Sequence, residues 1–122
     1  MIEYIVSLLK DDKRLVELIG ENNIYPIQTN YLGDCVIYDA YTTSHNKILQ
    51  ETRLQITIIA DKLSTTLAIE QEIEKILLTL GDNSLNNTIL QVEANGGGSL
   101  YDNSRHKNHR IVYFNIISRS EL

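Results

Sequence analysis

The chain has one cysteine, one proline, one phenylalanine and no tryptophan in 122 residues. A single thiol excludes an internal disulfide, so the fold has to stand on its hydrophobic core. Cys35 lies in an apolar, strand-like run, where a buried thiol is expected; a reactive one needs a basic neighbourhood. Glycine and proline are too scarce for a collagen-like or low-complexity chain. Long hydrophobic runs are missing as well. Nothing approaches 18 consecutive apolar residues, so no transmembrane helix is expected. Glu3 precedes any basic region and Asp11-Asp12 closes the first apolar stretch, so no signal peptide is read there. The expected setting is the cytoplasm, or an assembly built in it. Positive charge is also short: the net charge of −5 argues against general binding to nucleic-acid phosphates.

What is present is globular in composition, 43% hydrophobic and 22% charged, and is read as one domain spanning 1–122. The organising stretch runs from Arg53 to Gly81. Arg53-Leu54-Gln55-Ile56-Thr57-Ile58 alternates polar and apolar residues, the pattern of a half-buried strand. Ile69, Ile73, Ile76, Leu77 and Leu80 then form a helical stripe, with Ser64 as the expected N-cap and Gly81 as the stop. Ile2 to Ile19 reads as two short helices or one bent one. Asp11-Asp12 interrupts it, placed to cap a second short helix, and Gly20 ends it. Ile24-Tyr25-Pro26-Ile27 is at best an edge strand, because Pro26 cannot donate to a ladder. Cys35 to Thr42 is a strand and Thr43 to Gln50 a polar hairpin loop. Ile89 to Ala94 is a strand, and Gly96-Gly97-Gly98-Ser99 opens a long loop through His109. The last strand, Arg110 to Ser118, carries Val112, Phe114 and Ile116 on one face and Ile111, Tyr113 and Ile117 on the other. The fold expected is α+β: a mostly antiparallel sheet with two helical segments on one face. A second apolar face on the last strand points to self-association, because few residues remain to cover it.

Chemistry is hard to find. Asp102, His106 and His109 lack a recognised metal spacing. The glycine run has no following Gly-Lys-Ser/Thr and opens no helix, so phosphate-loop mechanics are missing. Cys35 has no evident base. Asp39 and Glu93, read as lying on neighbouring strands, are the one carboxylate pair for acid–base work, and strands supply such residues by default. No enzyme activity, metal or cofactor is expected. Charge is uneven: residues 101–122 hold four basic and two acidic side chains, which leaves −7 for residues 1–100. A basic segment on an acidic body suits head-to-tail contact between copies, or plain solvated charge.

Several features in order resemble one family. Met1-Ile2-Glu3-Tyr4 leads a helix to Leu8-Leu9-Lys10-Asp11, and Leu15-Val16-Glu17-Leu18-Ile19-Gly20 precedes Ile24-Tyr25-Pro26. The Arg53–Ile58 strand precedes a long helix, and Leu100-Tyr101-Asp102 leads to the His109–Ile116 strand. This set, covering nearly the whole chain, resembles the tail-terminator (tail-completion, head–tail joining) proteins of long-tailed phages and prophages. Gly33-Asp34 stands where family members often have a proline.

The resemblance implies a ring-forming α+β domain, a hexamer that caps the finished tail tube, ends its polymerisation and joins the head. Its partners would be further copies of itself, a tail-tube protein and a head-completion or connector protein. DNA would pass through the lumen without specific binding, and no membrane is involved. Its place would be the head-proximal end of the virion tail, assembled in the host cytoplasm. On this reading Ile111, Tyr113 and Ile117 are the contact between copies. His45, Asn46, Lys47, Tyr101, Asp102, Arg105 and Lys107 belong to loops that meet tube or connector. Glu70, Glu72 and Glu74 face the lumen or plain solvent. The alternative is a small α+β ligand-binding or regulatory domain acting as a dimer, with a pocket between helix and sheet.

Overall fold

A computed structural model describes residues 2–29, 31, 33–78 and 89–120 of the chain. Helices α1 (Ile2–Asp11) and α2 (Lys13–Ile19) break at Asp12, whose carboxylate accepts from the Leu15 amide at 3.0 Å and caps α2. Gly20 closes α2 at φ 83°, its N–H donating to the Val16 carbonyl. Strands β1 (Ile24–Pro26), β2 (Cys35–His45) and β3 (Leu49–Ala60) lead to α3 (Leu63–Leu77), then β4 (Ile89–Asp102) and β5 (Lys107–Arg119).

The five strands form one sheet in the order β1-β2-β3-β5-β4. Among the described residues, β1 alone runs parallel to its neighbour and the other pairings are antiparallel. Alternation then decides what is buried. Leu54, Ile56 and Ile58 of β3 and Val112, Phe114 and Ile116 of β5 point to one face, where Ile69, Ile73 and Leu77 of α3 and Ile5, Leu9 and Leu15 of the first two helices meet them. The other face carries no helix among the described residues. The expected α+β class, with helices on one face of a mostly antiparallel sheet, is the one found.

Three local expectations change. The strand β2 continues to His45 and β3 begins at Leu49, so the Thr43–Gln50 loop shrinks to a turn over 46–48. There the Asn46 side-chain oxygen accepts from both the Ile48 and Leu49 amides. The glycine run is no loop either: Gly96, Gly97 and Gly98 lie inside β4, and only residues 103–106 turn. Pairing with β5 holds them there, because the ladder continues from Gly97 opposite Val112 to Asp102 opposite Lys107. Finally α3 starts at Leu63, one residue after Lys62, and Ser64 lies inside its first turn, so it makes no cap. Leu80, Gly81 and the expected Asp82–Asn87 turn lie outside the described residues.

Candidate functional site

The helix-free face of the sheet is the natural place to look for an interaction surface. Along β5 it presents Ile111, Tyr113, Asn115 and Ile117, each half-buried. Strand alternation puts all three proposed contact residues on this one face, spread over roughly 20 Å at about 3.4 Å per residue. Their cross-strand neighbours on β3 are Thr57 beside Ile111, Gln55 beside Tyr113 and Glu51 beside Ile117. The guanidinium of Arg53 sits 4.2 Å from the Tyr113 ring centroid, a cation–π contact on a face where apolar and polar side chains alternate between the strands. Asn115 donates to Glu51 at 2.8 Å. The Nε of Arg53 is buried without a hydrogen-bond partner. Cys35, under the same face, is fully buried, and burial, reinforced by the charge of Asp34, pushes its thiol up to about 11. It is an inert core thiol at neutral pH.

The proposed contact segments lie at opposite ends of the sheet. His45, Asn46 and Lys47 form the β2–β3 end, where the His45 ring Nε2 lies 2.9 Å from the Ser120 hydroxyl. Tyr101, Asp102, Arg105 and Lys107 form the β4–β5 end. The 12 residues of β3 separate the two by roughly 40 Å. The Asp102 carboxylate accepts from the Ser104 hydroxyl and the Ser104 and Arg105 amides, and these bonds hold its pKa below the usual carboxylate value. Lys107 is tied down by Asp61 at 2.6 Å and Asp34 at 3.6 Å.

Of the three glutamates of α3, Glu70 and Glu74 share one side of the helix and Glu72 is turned away from them. Glu70 forks onto Arg110 of β5, and Arg110 also donates to Ser99 of β4. Glu72 lies against Asp12 at the start of α2, and the hydrogen bond it shares there, with burial, holds its pKa above the usual value. Glu74 lines, with Glu70 and Arg110, a groove of about 250 Å³ between α3 and β4. A helix turns about 100° per residue, so alternate positions fall on nearly opposite sides. The charge asymmetry has the same fate, since Lys107 and Arg110 of the basic segment are paired inside the chain with Asp61 and Glu70.

The catalytic candidates separate. Asp39 and Glu93 are not on neighbouring strands: β3 and β5 lie between β2 and β4, and the register offsets them by two residues, which puts them about 16 Å apart. Of the histidines, His106 sits in the turn at φ 56°, and His109 Nε2 lies 3.7 Å from an Asp102 carboxylate oxygen. Among the described residues, no group of three His, Cys, Asp or Glu side chains is placed to hold a metal ion. A groove of about 360 Å³ between α1 and β2, lined by Ile2, Glu3, Val6, Ser7, Lys10 and Tyr38, occupies the place where the alternative reading expects a pocket.

The backbone resembles a known virion component. A chain from the structure of the "virion of native gene transfer agent (GTA) particle" superposes with a TM-score of 0.74, covering 95% of this chain and 92% of that one. The two are 15% identical, so the likeness is one of fold. No family model and no curated protein matches the sequence. Sequence reasoning missed the long exposed edge of β4. The signal was there in Leu100-Tyr101, an apolar pair beyond the glycines, followed by the turn-forming Asp102-Asn103.

Proposed function

We propose that the protein is a structural, non-enzymatic virion component of the tail-terminator type. Copies close into a ring, a hexamer, that caps the tail tube, ends its growth and offers the surface for head joining. One observation carries this reading: the fold of a gene transfer agent virion chain is shared over nearly the full length of both chains. The sheet supports it in two ways. Its helix-free face supplies Ile111, Tyr113 and Ile117 for contact between copies. Its two hairpin ends, roughly 40 Å apart, give one end for the tube and the other for the connector. His45, Asn46 and Lys47 serve one partner; Tyr101, Asp102, Arg105 and Lys107 serve the other. DNA passes through the lumen unbound, in keeping with the net charge of −5. Of the α3 acids, Glu74, near the Arg110 charge but outside the Glu70–Arg110 fork, is assigned to that lining.

The test is mass in solution by light scattering, alone and with purified tail tubes. Six copies of a 13.9 kDa chain give about 83 kDa for the closed ring. A hexamer, or a monomer bound at one end of a tube, is the expected result. A stable dimer indifferent to tubes would sink the reading and favour a ligand-binding domain.

A further inference from the structure

The sheet has two stretches of edge that no strand among the described residues pairs with, and they lie at diagonally opposite corners. On one side β1 covers β2 only from Val36 to Tyr38, so beyond Tyr38 no strand among the described residues pairs with this edge, and Ile2 and Glu3 of α1 line a groove beside Ala40, Tyr41 and Thr42. On the other, residues 93–101 of β4 are exposed along their whole length. Between Ala94 and Tyr101 this edge has no proline, no charged side chain and no covering element among the described residues, the devices that normally block strand addition.

Backbone direction can be followed across the sheet. The Val36 amide donates outward to Asn23, and the Tyr38 carbonyl accepts from Ile27. Even-numbered residues of β2 up to Thr42 therefore turn their backbone groups away from β3. Alternation through the ladders then makes even residues of β3 face β5 and odd residues of β5 face β4. At the β4 edge the outward groups belong to Gly97, Ser99 and Tyr101. Both sets of outward residues sit on the helix-covered side of the pleat. Copies facing the same way would present β4 and β2 antiparallel, so the two edges match in direction, pleat and hydrogen-bonding phase.

Side chains select the register. Gly98, on the open face, has nothing within 4 Å of where a Cβ would stand. Tyr41, on the same face of β2, is 49% exposed. An aromatic ring laid over a cross-strand glycine fills that space and reaches Ile111, the partner of Gly98. This sets Tyr41 opposite Gly98, Ala40 opposite Ser99 and Asp39 opposite Leu100. The irregularities at Thr43 and Gly96 then coincide.

We infer that β4 of one copy, through Gly97–Leu100, adds onto β2 of the next, through Asp39–Thr42, to make a sheet continuous between copies. The occupant is a second copy because one chain carries both complementary edges, and joining opposite corners is a head-to-tail contact of the kind that closes a ring. The inference deepens the ring reading and rests on it for the second copy. Asp39 acts as the guard: its carboxylate accepts from the Ala40 amide at 2.9 Å, occupying an outward group that the added strand would use. So short a ladder is weak alone, and it gains strength from ring closure or from a tube end that holds copies together.

The experiment traps the pairing with cysteines. Asp39 and Leu100 would face each other as a non-hydrogen-bonded pair, the closer of the two antiparallel spacings and within disulfide range. Both are exposed, and native Cys35 is buried out of reach. Oxidised Asp39→Cys/Leu100→Cys protein is expected to form a covalent ladder ending at a closed ring, while each single variant stays uncrosslinked. Ser99→Pro removes an outward amide together with the hydroxyl that accepts from Arg110, so Ser99→Ala, which removes the hydroxyl alone, is its control: both are expected to stay folded, with assembly abolished in Ser99→Pro and kept in Ser99→Ala. Leu100→Pro, which breaks the β4–β5 ladder, is the destabilised control. Crosslinked single variants would mean like-to-like edges and overturn the inference. Wild-type rings with an uncrosslinked double variant, or rings surviving in Ser99→Pro, would overturn it and leave the ring reading standing. No assembly of wild type, alone or on tubes, together with no crosslink, would overturn both.

Discussion

At Gly97 the backbone leaves no room for a side chain. A Cβ there would stand 2.3 Å from the Ile111 carbonyl oxygen and 3.1 Å from the Val112 Cα, both parts of the partner strand. One position later a Cβ at Gly98 would meet nothing. Adjacent residues of one glycine run therefore have opposite reasons for being glycine. Gly97→Ala should push β4 off β5 and lose about 1–3 kcal/mol, the usual cost of overpacking. Gly98→Ala should be neutral or gain about 0.5 kcal/mol through the unfolded chain. Urea midpoints of the two variants check this, and equal effects would contradict the close approach at Gly97. The contrast also explains why the run reads as a loop in sequence. Three glycines weaken every strand propensity, and only the partner strand, distant in sequence, shows that Gly97 is required by a close contact.

At the scale of elements, the strand–helix unit from Arg53 was legible because its periods are local: two for β3, three to four for α3. Asp12 as the cap of α2 was legible for the same reason. Where α3 begins was not, since no side chain caps it and its first turn is fixed by packing of Thr66, Ile69 and Ile73 on the sheet. Nor could sequence show that α3 meets α2 through two carboxylates. Glu72 against Asp12 has a folded pKa above its unfolded value. The ionised pair therefore opposes folding above the folded pKa, and that penalty vanishes as pH falls below the unfolded value. Glu72→Gln is expected to raise the unfolding midpoint near pH 7, with the gain fading as both proteins are taken down through the carboxylate range. A gain that persisted in acid would point to packing instead of charge.

At the scale of the whole molecule, the basic segment and the acidic body are already engaged with each other. Lys107 bridges to Asp34 and Asp61, and Arg110 to Glu70, so those charges knit β5 to the rest of the fold. Sequence displays a charge imbalance, but not which charges are neutralised once strands are laid side by side. The proposed contact between copies has to use surface that the fold leaves accessible, and the helix-free face of β5 offers the half-buried Ile111, Tyr113 and Ile117. Tyr113 is its centre, flanked by Ile111 and held under Arg53. Tyr113→Asp places a carboxylate there at no cost to the helices, which pack on the opposite face. Circular dichroism should be unchanged while light scattering, alone and with tubes, shows the ring lost. Normal rings from Tyr113→Asp would remove this face from the interface. Ile117→Asp measures how far the contact extends, because Ile117 lies at the end of β5 remote from Gly98. Loss of the ring there would mean that the whole strand is covered by the neighbour. Retention would confine the contact to the β4 corner, where Tyr41 of the next copy would reach Ile111 across Gly98.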